Sequence, residues 1–75
     1  MSQFELDARR LLCPLPVIRT QDKIKTLAVG DVLVVTCTDP GVMQDIPAWS
    51  RINGHKVLST ESGEYEFVIT IEVGE

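Results

Sequence analysis

The spacing of apolar and polar residues changes several times along these 75 residues, and each change marks an element. Phe4, Leu6 and Ala8 alternate with Glu5, Asp7 and Arg9, the period of a strand with one buried face. Beyond Pro16 the period lengthens. Val17, Thr20, Ile24 and Leu27 fall at i, i+3, i+7 and i+10, with Arg19, Asp22, Lys23 and Lys25 mostly off that stripe, which predicts an amphipathic helix. Val29-Gly30-Asp31 reads as a turn. Val32 to Cys37 is β-branched and almost continuously apolar, predicting a central strand covered on much of both faces. Asp39-Pro40 is a helix-start signal, an N-cap carboxylate followed by proline at the first helical position. Val42, Ile46, Trp49 and Ile52 then predict a second core-facing stripe, and Gly54 suits the left-handed residue that ends such a helix. Pro47 inside this pattern predicts a kink or a two-part helix. Lys56 to Thr60 lead into Glu61-Ser62-Gly63-Glu64, a hairpin connection, after which Tyr65, Phe67, Ile69, Ile71 and Val73 alternate with Glu66, Val68, Thr70 and Glu72.

The order is therefore β-α-β-α-β-β, without repeat or linker. A right-handed crossover makes the first two strands parallel, and the hairpin adds antiparallel partners. The expected fold is an α/β (α+β) two-layer sandwich, a mixed four-stranded sheet with two helices on one face, as one domain over 1–75. So short a chain buries a small core, so a reactive group should lie near the surface rather than in a deep pocket. Hydrophobic residues at 44% and charged residues at 24% are ordinary for a globular protein. No apolar run nears the roughly 20 residues of a membrane span, and the first residues lack a signal-peptide pattern. The two cysteines, Cys13 and Cys37, form neither a CxxC nor a metal-ligand cluster, so a cytoplasmic protein with reduced thiols, no metal and no cofactor is expected. A Cys13–Cys37 disulfide stays open at this level.

A net charge of −4 argues against nucleic-acid binding, which needs a basic face. The charge is uneven. Residues 1–25 hold five basic against three acidic side chains, and residues 26–75 hold two against eight. The basic share surrounds Cys13.

Cys13 opens the run Cys13-Pro14-Leu15-Pro16, directly ahead of the first helix. Proline disfavours the α region for the residue before it, which suits Cys13 to an N-cap. Pro14 and Pro16 would then occupy helical positions where a missing N–H is harmless. The amides of Leu15 and Val17 would face the sulfur, and the helix dipole with Arg9, Arg10 or Arg19 would favour the thiolate. These terms predict a thiol about one pKa unit below its free value of about 8.5. Arg10 and Arg19 are also candidates for docking an acidic partner. Cys37 continues the apolar strand and reads as a structural thiol. His55 reads as a strand-edge or helix-end residue, Trp49 and Met43 as packing on or beside the second helix, Asp39 as a cap and Asp45 as a solvated carboxylate, and no Cys/His or Ser/His/Asp pairing stands at a motif-like spacing.

Leu6-Asp7-Ala8-Arg9, Leu11 and Cys13-Pro14-Leu15-Pro16 resemble the TusA/SirA-type sulfur-carrier family. The resemblance continues through Val29-Gly30-Asp31, Thr38-Asp39-Pro40, Asp45-Ile46-Pro47 and Gly54-His55, nearly the whole chain. The family often has Gly where Arg10 stands, a polar or basic residue at Leu12, and a charged one at Leu15. The resemblance implies a two-layer α/β fold and a cytoplasmic sulfurtransferase-type carrier in which Cys13 takes a sulfane sulfur as a persulfide. It implies donors that are cysteine desulfurases or rhodanese-like enzymes. The acceptors it implies are sulfur-relay proteins of tRNA thiolation, molybdenum-cofactor or sulfur-oxidation metabolism. The free protein is expected to be a monomer. Two other readings stand beside this one: a regulatory or accessory protein-binding module, and a redox thiol protein cycling Cys13 with Cys37.

Overall fold

The computed structural model describes residues 2–74. Its elements follow the expected order: β1 (Gln3–Ala8), α1 (Leu15–Ile24), β2 (Val32–Cys37), α2 (Val42–Ile52), β3 (Lys56–Ser62) and β4 (Phe67–Glu72). The four strands form one mixed sheet in the order β1-β2-β4-β3. β1 runs parallel to β2, with Ala8 opposite Cys37, and β4 is antiparallel to both β2 and β3. β3 carries a bulge between Val57 and Ser59, which leaves Leu58 unpaired and largely outside.

Strand alternation sorts the two faces. Leu33, Val35 and Cys37 of β2 are fully buried with Ile69 and Ile71 of β4, and the same cluster takes Ile24 from α1 and Val42 and Ile46 from α2. Both helices therefore cover one face, and the intervening positions Val32, Val34 and Thr36 are only half-buried. The expected cover on much of both faces is thus complete only on the helix side.

The helices bury two hydroxyls without cost in unmet hydrogen bonds. Thr20 donates to the Pro16 carbonyl at 2.8 Å, and Ser50 donates to the Ile46 carbonyl at 2.8 Å, each one turn back along its own helix. α2 runs unbroken through Pro47, which is buried. It ends as Gly54 predicts. Gly54 has φ 80, its N–H reaches the Arg51 carbonyl at 3.2 Å, and the His55 N–H reaches the Ser50 carbonyl at 2.8 Å. This is a Schellman closure, for which a residue without Cβ is best suited.

Several boundaries differ from the expected ones. Ile52 is 84% exposed, because ten residues at about 100° each leave it roughly 80° off the stripe that Val42 begins. Ser50 occupies the buried position instead, and Trp49 is half-buried, its ring 5.3 Å from that of His55. Tyr65 lies in the β3–β4 turn, 80% exposed, and β4 begins only at Phe67. The turn is closed by the Gly63 N–H on the Glu66 carbonyl.

Candidate functional site

The β1–α1 loop and the β2–α2 junction leave the sheet side by side, at the carboxyl ends of two adjacent parallel strands. In open α/β sheets this is where sites are built. Two side chains of the junction hold the loop. The Thr38 hydroxyl accepts the Arg10 N–H at 2.8 Å, and Asp39 Oδ2 accepts the Cys13 N–H at 3.0 Å. Asp39 Oδ1 meanwhile accepts the Gly41 N–H at 3.0 Å, so one carboxylate links the start of α2 to the cysteine loop. Asp39 is thus not the predicted N-cap. That place belongs to Gly41, and α2 starts without a side-chain cap.

Cys13 is exposed, and it lies outside the helix it was expected to cap. Pro14 is the N-cap residue, Leu15 the first helical residue and Pro16 the second. The constraint that proline places on its predecessor keeps Cys13 in the loop. The Leu15 N–H closes a turn on the Leu12 carbonyl at 2.8 Å, so this amide does not serve the sulfur as expected. Pro16 is fully buried, and Val17 is half-buried against the core, so the first turn of α1 is anchored beneath an exposed thiol.

The electrostatics also reverse the expected sign. The Cys13 S–H donates to Asp45 Oδ2 at 3.4 Å. That hydrogen bond, with the nearby charges of Asp45 and Asp39, raises the thiol above its ordinary value rather than lowering it. Among the described residues no arginine is hydrogen-bonded to the sulfur, whose partner is Asp45. Arg9 pairs with Asp7 at 2.9 Å and Glu66 at 3.3 Å, and its hydrogen bonds hold the exposed Asp7 carboxyl down to about 2. Arg10 stands in the left-handed region at φ 67 and lines a surface groove with Asp7, Arg9, Thr38, Tyr65 and Glu66. Arg19 lies on the exposed face of α1. An exposed apolar collar adjoins the thiol in sequence: Leu12 at 74%, Leu15 at 42% and Ile18 at 43% exposure.

Cys37 is fully buried in β2, opposite Phe67 of β4, and burial pushes its thiol up to about 11. It packs in the core, where its apolar context placed it. His55 accepts the Gly74 N–H on its Nδ1 at 3.0 Å. Asp45 had read as a solvated carboxylate and Asp39 as a cap, so the sequence reading missed both as neighbours of the sulfur. The resemblance already held the signal, because Thr38-Asp39-Pro40 and Asp45-Ile46-Pro47 are among its matching segments.

The sequence model of the family described as sulfurtransferase TusA matches residues 4–71, almost the full chain. The chain belongs to the TusA family. The sulfur carrier protein TusA of Allochromatium vinosum is 37% identical over 67 residues, covering 87% of this chain and 88% of that protein. The putative sulfur carrier protein YrkI of Bacillus subtilis is 42% identical over 60 residues, covering 79% of this chain and 80% of its own length. The putative sulfur carrier protein YrkF of the same organism is 42% identical over 57 residues, or 76% of this chain, but the match spans only 31% of that longer protein. Among solved structures, the SirA-like protein of Desulfitobacterium hafniense superposes with a TM-score of 0.82 at 26% identity, over 96% of this chain and 99% of the other. This chain has the fold of that SirA-like protein, and its relatives support a sulfur-carrier role.

Proposed function

We propose that this TusA-family chain accepts a sulfane sulfur on Cys13 as a persulfide and passes it to the thiol of a partner protein. One observation carries the reading: of the two cysteines, the one in the Cys-Pro-Leu-Pro turn is exposed on an anchored loop, and the other is sealed in the core. In the loading step the Cys13 thiolate attacks the outer sulfur of a donor persulfide. The donor's S–S bond breaks, the donor leaves as a thiol, and it takes up the proton that Cys13 gave. In delivery an acceptor thiolate attacks the outer sulfur, the S–S bond on Cys13 breaks, and Cys13 regains its thiol. No net oxidation occurs, so no metal, cofactor or external oxidant is required.

The chain's own residues divide the work. Pro14 and Pro16 restrict the turn, Leu15 begins α1 behind it, Val17 packs against the core, and Asp39 holds the Cys13 amide. Leu12, Leu15 and Ile18 offer apolar area on which a partner protein can exclude water around the sulfur. Arg10 and Arg19 supply the flanking positive charge for the acidic part of such a partner. The donor class is a cysteine desulfurase or rhodanese-like enzyme, and the acceptor is a sulfur-relay protein of tRNA thiolation, molybdenum-cofactor or sulfur-oxidation metabolism, in the cytoplasm.

Cys13→Ser separates carriage from mere binding. Loaded by a cysteine desulfurase with cysteine, the wild type should pass labelled sulfur to an acceptor thiol, and Cys13→Ser should pass none. A Cys13→Ser protein that still transfers would overturn the reading. Loss of two hydrogens from the wild type in place of a sulfur gain would favour a disulfide cycle with Cys37.

A further inference from the structure

Asp45 stands on the first turn of α2, exposed, with Oδ2 3.4 Å from the Cys13 sulfur. The second carboxylate in range is Asp39 of the β2–α2 junction, occupied by the Cys13 and Gly41 amides. From the other side, the first turn of α1 brings no acidic residue, Arg9 is tied to Asp7 and Glu66, Arg10 lines a groove with those same groups, and Arg19 lies on the exposed face of α1. The charges acting on the sulfur are therefore negative, from Asp45 first and Asp39 second.

Resting on the carrier reading above, we infer that Asp45 is a positioning residue that makes Cys13 a poor resting place for a charged persulfide and so biases the sulfur toward delivery. The empty carrier presents a neutral S–H that donates to Asp45. A persulfide is a stronger acid than its parent thiol, so the loaded carrier presents an anion with no proton to donate. Loading thus replaces a hydrogen bond with a like-charge contact, and delivery restores the bond. Because Asp45 acts differently on the two states, it shifts the equilibrium between them; a group acting equally on both would shift nothing.

The exchange that reads this out is Cys13 thiol plus a small persulfide anion giving Cys13 persulfide anion plus the small thiol, with one sulfur moved and one proton passed the other way. The full chain is equilibrated with mixtures of glutathione persulfide and glutathione, and the loaded fraction is measured by intact mass from pH 7 to above pH 10. At neutral pH, Asp45→Asn should raise the ratio of loaded to empty carrier by roughly three- to tenfold, the size expected of one charge partly screened by water. Asp45→Glu and Glu72→Gln, the latter at the opposite end of the sheet, should stay near the wild type. The Asp45→Asn difference should shrink as pH rises past the titration of the empty thiol, where both states are anionic and feel the same repulsion. Iodoacetamide alkylation of the empty proteins should show the Asp45→Asn midpoint at lower pH than the wild type. Asp45→Ser serves as a second neutral variant should the amide unsettle the turn. Equal partition for the wild type and both neutral variants would overturn the inference and leave the carrier reading standing, as would a shift that does not change with pH. A wild type that takes up no sulfur would remove the carrier reading and this inference together.

Discussion

Arg10 shows how one residue can be read in two ways. The family often has glycine at this position, and the structure supplies the reason: φ is 67, in the left-handed region that side chains occupy at a cost of about 1–2 kcal/mol. The backbone there must turn sharply so that its N–H can reach the Thr38 hydroxyl. Cys13 carries the opposite lesson. Its exposure was legible from the proline-flanked turn in a short chain, but the direction of its ionisation was not, because Asp39 and Asp45 are 26 and 32 residues away in sequence. Sequence proximity named Arg9, Arg10 and Arg19 as the thiol's neighbours, and folding brought two carboxylates instead. Cys37 gives a test at this scale. Its thiol ionises at about 11 in the folded protein against an ordinary 9.0, so the unfolded chain loses that proton first as pH rises. Below pH 9 the neutral thiol's full contribution is present, and it is lost as pH climbs through 11. Urea unfolding should therefore show the wild type losing on the order of 2 kcal/mol more than Cys37→Ala across that window. Parallel pH profiles would contradict the burial of this thiol.

At the level of elements, periodicity located every strand and helix, and its errors were errors of phase and of ends. Gly54 marked the end of α2 because the αL closure leaves an unmistakable residue. Ile52 misled because a stripe counted at i+10 drifts off the helix face, and Tyr65 misled because alternation continues into the turn before pairing begins. Pro47 promised a break, yet α2 continues past it. Pro47 has no N–H to donate to the Met43 carbonyl one turn back, and that carbonyl lies in the first turn of α2, so the break removes little of the helix ladder. The helix face can be tested by a pair of substitutions. Ile46→Ala, at a fully buried site, should lower stability by about 2–5 kcal/mol, while Ile52→Ala should change it by less than about 0.5 kcal/mol. Equal effects in denaturant titrations would mean that α2 presents a different face to the sheet.

On the scale of the whole molecule, the parallel β1–β2 pair is what makes a site. It brings the β1–α1 loop and the β2–α2 junction out at one end of the sheet, where Thr38 and Asp39 hold a short loop and leave its cysteine facing water. The small core that so short a chain can build excludes a deep pocket, and the sulfur is correspondingly superficial, within reach of another protein's cysteine. The uneven charge of the sequence survives folding but is redistributed, with its basic residues partly neutralised by Asp7 and Glu66 and its acidic residues brought to the thiol. The central claim is that Cys13 alone bears the transferred sulfur. The most direct measurement is to load the wild type, Cys13→Ala and Cys37→Ala with inorganic polysulfide and map the added sulfur by peptide mass spectrometry. One sulfur atom should be found on the peptide containing Cys13 in the wild type and in Cys37→Ala, and none on any peptide of Cys13→Ala. Sulfur mapped to Cys37, or uptake undiminished in Cys13→Ala, would contradict the account.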